Sequence, residues 1–205
     1  MCGALSVAWA ASGKMKTYGG ITLLPLGVYL PAPAPAPPLA QIDFRNFSYR
    51  LFATQATPDA TRAGIPEQVE APVVDGVYNH RNAAANPFEF DVIQVVQADL
   101  PHAPDHQAAI VIGTFYAGHG TPVCTGVAQL LERRDQRVEV MDQITFDCRG
   151  GLNAHYLEKK RRLRIVSAVF AAGDPRCCPS QSDTVDFKLG GDQIKASVQA
   201  LASGQ

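Results

Sequence analysis

The chain has 205 residues, enough for one ordinary domain and small for two. With 18 basic and 19 acidic residues it is near neutral, which argues against a nonspecific nucleic-acid binder. Charged residues are 18% and hydrophobic ones 46%, a composition that supports a packed core rather than disorder. No apolar run reaches the roughly 18 residues of a membrane-spanning helix.

Residues 1–40 hold no Asp or Glu and two lysines, Lys14 and Lys16. An apolar stretch from Ile21 to Leu30 follows, interrupted by Pro25. An Ala/Pro tract from Pro31 to Pro38 then ends in Leu39-Ala40. A positive start, a short apolar middle and a small residue before a cut describe a secretory leader. The charges flank Met15 rather than Met1, so translation is expected to start at Met15. Cleavage is expected after Ala40, leaving Gln41 as the new N-terminus. The expected organisation is a leader over 1–40 and a single β-rich exported domain over 41–205.

Within that domain, Gln41 to Leu51 reads as an extended start, with Ile42, Phe44, Phe47, Tyr49 and Leu51 as its apolar positions. Ala53 to Glu70, rich in Ala, Thr and Pro, reads as loop. Val73-Val74 and Val77-Tyr78 flank the turn signal Asp75-Gly76. From Phe88 onward, apolar runs alternate with short polar breaks. The runs are Phe90–Ala98, Ala108–Tyr116, Val123–Leu131, Val138–Phe146, Leu163–Phe170, Thr184–Leu189 and Ile194–Leu201. Their lengths and their Val, Ile and aromatic content predict strands, the third and last also being compatible with helix. Gly190-Gly191-Asp192 predicts a hairpin turn. Consecutive strands with short breaks pair antiparallel. The expected fold is mainly β, or β-rich α+β: an antiparallel meander of about six to seven strands after long N-terminal loops. A short helix is allowed within Gln41–Pro87 or at the C-terminus.

Two breaks carry charge, Arg133-Arg134-Asp135-Gln136 and Glu158-Lys159-Lys160-Arg161-Arg162. In a chain of near-zero net charge they read as solvated hairpin tips rather than a nucleic-acid patch.

The four cysteines beyond Cys2 are Cys124, Cys148, Cys177 and Cys178. If Glu132 faces Arg137 across the first charged turn, Cys124 faces Thr145 and Cys148 lies three residues further on. A second hairpin about Glu158 to Arg161 brings Cys148 opposite the loop Ala171–Asp183, which carries Cys177 and Cys178. All four then meet at one end of one sheet. Four cysteines allow three pairings. A bond between the adjacent Cys177 and Cys178 would close a strained ring. The pairing expected is therefore Cys148 to one member of that pair and Cys124 to the other. Two staples are the plain reading in an oxidising compartment. A thiol-redox site lacks its usual Cys-x-x-Cys spacing. A metal site would combine the cysteines with His119, without a supporting Cys-x-x-Cys or His-x-x-x-His pair.

The segment Ala172-Gly173-Asp174-Pro175-Arg176-Cys177-Cys178-Pro179-Ser180, followed by Val185-Asp186-Phe187-Lys188-Leu189-Gly190-Gly191-Asp192, resembles the C-terminal end of certain exported bacterial proteins of unknown function. The LppP/LprE-type lipoproteins of actinobacteria are among them. Ile42 to Tyr49 and Ala98 to Ile110 are similar to parts of such proteins. The resemblance implies export, a β-rich domain and paired cysteines, and no reaction. This sequence departs from a lipoprotein pattern because no lipobox-like residues place Cys2 at a lipid-anchoring cut.

Catalysis needs a positioned nucleophile or acid–base pair. His102 and His106 share the Pro-rich loop Pro101-His102-Ala103-Pro104-Asp105-His106, where a helix is disfavoured. Gly113 to Gly120 lacks the ending of a phosphate loop, and no Gly-x-Ser-x-Gly elbow occurs. His119, between Gly118 and Gly120, is the one candidate functional histidine. His80 and His155 carry no motif. No residue pattern assigns a catalytic residue, a metal or a cofactor. The expectation is an exported, periplasmic or secreted, disulfide-stapled module, non-enzymatic, that binds another envelope component. The alternative is a thiol-redox or metal-dependent activity at the Cys124/Cys148/Cys177/Cys178 end near His119.

Overall fold

The computed structural model describes residues 14–30, 35–52, 68–80, 88–99, 107–117, 123–149, 151, 153–158, 161–175, 178–190 and 195–204. The strands described are, in chain order, β1 (Lys16–Tyr18), β2 (Ile21–Tyr29), β3 (Ser48–Leu51), β4 (Val69–Pro72), β5 (Val77–His80), β6 (Phe88–Asp99), β7 (Gln107–Ala117), β8 (Val123–Arg134), β9 (Arg137–Asp147), β10 (Asn153–Leu157), β11 (Arg162–Val169), β12 (Gln181–Gly190) and β13 (Lys195–Gly204). A three-residue 3-10 turn covers Leu39–Gln41. Each apolar run read from the sequence is a strand. The runs compatible with helix are β8 and β13, so no helix forms at either place. Leu39–Gln41 is the described helical turn nearest the N-terminal loops.

The strands form a central sheet in the order β1-β2-β9-β8-β7-β6-β5, a second sheet β10-β11-β12-β13 and the ribbon β3-β4. Every pairing is antiparallel. The meander was expected in one sheet. It breaks in two after Asp147, because β10 pairs with β11 and no longer with β9. Both faces of the central sheet are covered, so its middle strands are apolar on both sides rather than alternating. On one face Val111, Val127, Leu131 and Val140 pack with Phe44, Tyr49, Leu51 and Val69. On the other, Ile110, Ile112, Leu130 and Ile144 pack with Leu163, Ile165, Val185 and Phe187 of the second sheet.

The β8–β9 hairpin turns through Asp135 and Gln136, both at positive φ (49° and 57°). This two-residue turn matches the twist of the flanking strands. Arg134 therefore faces Arg137, and Glu132 faces Glu139 rather than the expected Arg137. A bulge follows, because Leu130 pairs with Asp142 and Leu131 with Val140, leaving Met141 as the extra residue. One inserted residue flips every later side chain to the opposite face. Val138 and Val140 thus serve one core, and Ile144 and Phe146 the other.

Part of the segment expected as a leader takes part in the central sheet. The stretch read as the apolar middle of a leader is β2, paired with β9 from Ile21↔Phe146 to Tyr29↔Glu139. Pro25 is tolerated because it lies beyond the β1 pairing, at the register shift between Pro25 and Val28. Ile21, Leu23, Leu24, Leu26, Val28 and Leu30 are at most 4% exposed. The β1–β2 turn is bolted to the second sheet. Gly20 N–H donates to Asp183 Oδ2 at 2.9 Å, and Ser167 Oγ donates to the Gly20 carbonyl at 3.1 Å. Gly19 adopts φ 58°, and a Cβ there would lie 2.0 Å from Asp183 Oδ2, so a larger residue would push that carboxylate off the Gly20 amide. A cut after Ala40 would remove β1 and β2 and strip both cores. The described fold therefore includes β1 and β2, which lie N-terminal to Gln41.

Six buried aliphatic side chains at about 1.5–3 kcal/mol each match the about 5–15 kcal/mol that holds a domain together. A chain beginning at Gln41 is therefore expected to lack dispersed amide NMR signals. A chain beginning at Lys14 should show them.

Candidate functional site

Cys124 and Cys148 are joined to each other, with their Cα atoms 5.3 Å apart. The expected pairing, in which each reached the Cys177-Cys178 pair, is corrected by the hairpin register. The tight turn and the Met141 bulge together shift β9 by three residues against the expected alignment. Thr125 then faces Asp147, and Cys148 falls next to Cys124 instead of past it. Cys148 N–H donates to the Cys124 carbonyl at 3.3 Å, extending the ladder by one step. Cys148 is 4% exposed. Cys178 is also disulfide-bonded, its partner lying outside the described residues. Cys177 and His119 lie outside them too, as do His102 and His106. His155 faces Arg164 on the second sheet, and His80 ends β5, so neither joins the cysteines in register.

The second expected hairpin register is observed: Leu157 faces Arg162. Arg149, next to Cys148, stacks its guanidinium 4.3 Å from the ring centroid of Phe170, where the cysteine-bearing loop begins. That loop is closed by one carboxylate. Asp174 Oδ2 accepts from Ala171 N–H at 2.7 Å, Ser180 N–H at 2.8 Å and Ser180 Oγ at 3.0 Å. The Ser180 and Ala171 amides hold the Asp174 carboxyl below its ordinary range, since both favour the charged form. Asp174 thus ties Ser180 back to Ala171.

Two acidic residues share the face on which Cys124 lies. Glu89 on β6 faces Tyr116 on β7, which faces Cys124 on β8. Asp91 faces Thr114 in the next row. Burial, then the neighbouring Glu89, push the Asp91 carboxyl up. Its Oδ1 is buried without a hydrogen-bond partner among the described residues. The alternation Phe88-Glu89-Phe90-Asp91 was the available signal, because the phenylalanines face the core and turn the acids to the other side.

A groove of about 470 Å³ opens at the far edge of the central sheet. Its floor is β6 from Val92 to Gln97, and its wall is the strap Ile42-Asp43-Phe44-Arg45. The strap is anchored from below: Tyr49, fully buried, donates its hydroxyl to the Phe44 carbonyl at 2.5 Å. Burial and nearby Asp43 push the Tyr49 phenol well up, keeping it a donor. Arg45 Nη2 donates to the Asp75 carbonyl at 2.6 Å and Nη1 reaches the Val92 carbonyl at 3.5 Å. No motif in the sequence marked this groove, because its wall and floor lie some fifty positions apart.

No family model, curated protein or solved structure matches this chain.

The Cys124–Cys148 bond closes a 24-residue separation, which is roughly 3–4 kcal/mol of stabilisation in the chain-entropy model. Replacing both cysteines with alanine should lower the urea-unfolding free energy by about that amount. Asp174→Asn should leave that energy nearly unchanged but speed hydrogen exchange at the Ser180 amide. The depressed carboxyl makes the wild-type protection complete above the ordinary carboxylate pKa. Protection is lost as pH falls through the folded-state value.

Proposed function

We propose that the chain is an exported, periplasmic or secreted, disulfide-stapled β module that binds another component of the cell envelope and performs no chemistry of its own. The observation that carries this reading is the Cys124–Cys148 bond, set between neighbouring strands at the end of the central sheet. Disulfides of this structural kind persist in oxidising compartments. The resemblance of the Cys-Cys-Pro-Ser segment to exported proteins points the same way. The acid-free, apolar composition of residues 14–30 is that of a leader and also of the core hairpin β1–β2.

A binding role is supported by the groove beside β6, which is preshaped by Tyr49 and Arg45 and lies away from the stapled end. Among the described residues no helix is long and apolar enough to cross a membrane. The second reading is a thiol-redox or metal-dependent activity near His119: a metal site would need Cys124 and Cys148 reduced, whereas a redox pair would cycle through their bond.

The test is the intact mass of the chain recovered from the periplasm or medium of a bacterial host, with alkylation before and after reduction. The expected species takes up alkylating agent at Cys124, Cys148, Cys177 and Cys178 only after reduction. Retention in the cytosol with fast-reacting thiols, or with stoichiometric bound metal, would sink the proposal. The cysteine end would then become the presumptive active site.

A further inference from the structure

β5 covers only the first part of β6, from His80↔Phe88 to Val77↔Asp91. One more bond, Val92 N–H to the Gly76 carbonyl at 2.7 Å, ends that ladder. Beyond it, Ile93 to Asp99 have β7 on one side and, among the described residues, no strand on the other. A bulge between Val92 and Gln94 pushes Ile93 outward, 54% exposed. The free stretch Ile93-Gln94-Val95-Val96-Gln97 has no charge and no proline, the devices by which edges are usually blunted. The groove is lined by this stretch and by the strap Ile42–Arg45. At roughly 3.4 Å per residue, Ile93–Gln97 offers a position for about four residues of extended chain.

The end of that position nearest β5 is built around a cation. The Arg45 guanidinium lies against Gly76, and a Cβ on residue 76 would sit 2.4 Å from its Nη2. Gly76 also needs φ 91°, which side chains rarely adopt. Arg45 is held by two backbone carbonyls, those of Asp75 and Val92, and by no carboxylate within ion-pairing distance among the described residues. Asp43 is turned to its own loop, accepting from Asn46 Nδ2 at 2.7 Å and from Arg45 N–H at 3.0 Å.

Direction follows from topology. A strand continuing the line of β5 and antiparallel to β6 would run from Gln97 toward Ile93, so its C-terminus would arrive at Arg45. We infer that the β6 groove binds the C-terminal end of another polypeptide as an added strand, with the terminal carboxylate on Arg45 and apolar side chains against Ile42, Ile93 and Val95. Main-chain pairing supplies the affinity in this mode, and the terminal carboxylate sets the register. The assignment rests on the binding-module reading and names the chemistry of the partner.

The experiment presents the full-length oxidised chain with short peptides randomised at their C-terminal positions and ending in a free carboxylate. Enrichment of apolar ends is expected, and the best peptide should shift the amide NMR signals of Ile93 to Gln97. Arg45→Gln should weaken it about tenfold or more, the scale of a charge-assisted contact. Amidation of the peptide should do the same, a test that holds even where Arg45→Gln perturbs folding. Ile93→Asp, at an exposed site, should abolish binding with the thermal midpoint unchanged. Absence of enrichment, or equal affinity for acid and amide, would overturn the inference. So would a dimer in sedimentation that Ile93→Asp dissolves, since the edge would then serve a second copy. None of these outcomes bears on the alkylation result that tests export, so the two readings fail separately.

Discussion

The alignment of β9 against its neighbours is the constraint on which the molecule turns. β9 lies between β2 and β8, and its inserted residue, Met141, divides it into two halves that serve opposite cores. A slip of one residue would send Ile144 and Phe146 to the wrong face and leave Gln143 without its role. Gln143 is 2% exposed and pairs with the backbone of Phe52 in both directions, accepting at 3.2 Å and donating at 3.2 Å. Gln129 donates to Gln143 Oε1 at 3.0 Å and to the Arg50 carbonyl at 2.7 Å. These amides satisfy the backbone of Arg50 and Phe52 at the end of β3, and they seat the small ribbon on the central sheet. The same alignment puts Cys148 beside Cys124, so the staple is a consequence of the register and then locks it.

The two ends of the central sheet carry different devices. At the stapled end lie the disulfide, the Arg149–Asp147 ion pair and the hydrogen bonds that Asp174 accepts from Ala171 and Ser180. At the β5–β6 edge, the strap is held by a buried phenol and a guanidinium bound to carbonyls, and among the described residues no strand pairs with Ile93–Asp99 of β6 on one side. Open apolar edges are a hazard that folds ordinarily suppress. Here the strap and Arg45 leave the edge accessible but narrow, which favours a short extended ligand over unrestricted sheet growth.

Much of the architecture was legible in the residues. Runs such as Val138–Phe146 and Thr184–Leu189 are too short and too β-branched for helices, and they are strands. The Glu158–Arg161 hairpin was read in register because its flanks, Leu157 and Leu163, leave little choice of face. The first charged turn misled because Arg133-Arg134-Asp135-Gln136 allows several loop lengths, and only the left-handed pair Asp135-Gln136 makes the tight one. The apolar, acid-free start is ambiguous for another reason: an export leader and a buried strand draw on the same residues. Pro25 and Gly27 were the hints, since a bulged strand accommodates both.

Composition and local pattern were sufficient to establish a β protein with a packed core, antiparallel neighbours and cysteines suited to pairing. Those properties depend on residue type and on spacing over a few positions, which a sequence displays directly. The cysteine partners, the place of β2 in the core and the groove between Phe44 and Val95 came from long-range placement instead. Each depends on contacts separated by tens of residues or more and on single inserted residues at Met141 and Ile93. A bulge changes facing without leaving a periodic signal, so its consequences become visible only when the strands are set side by side.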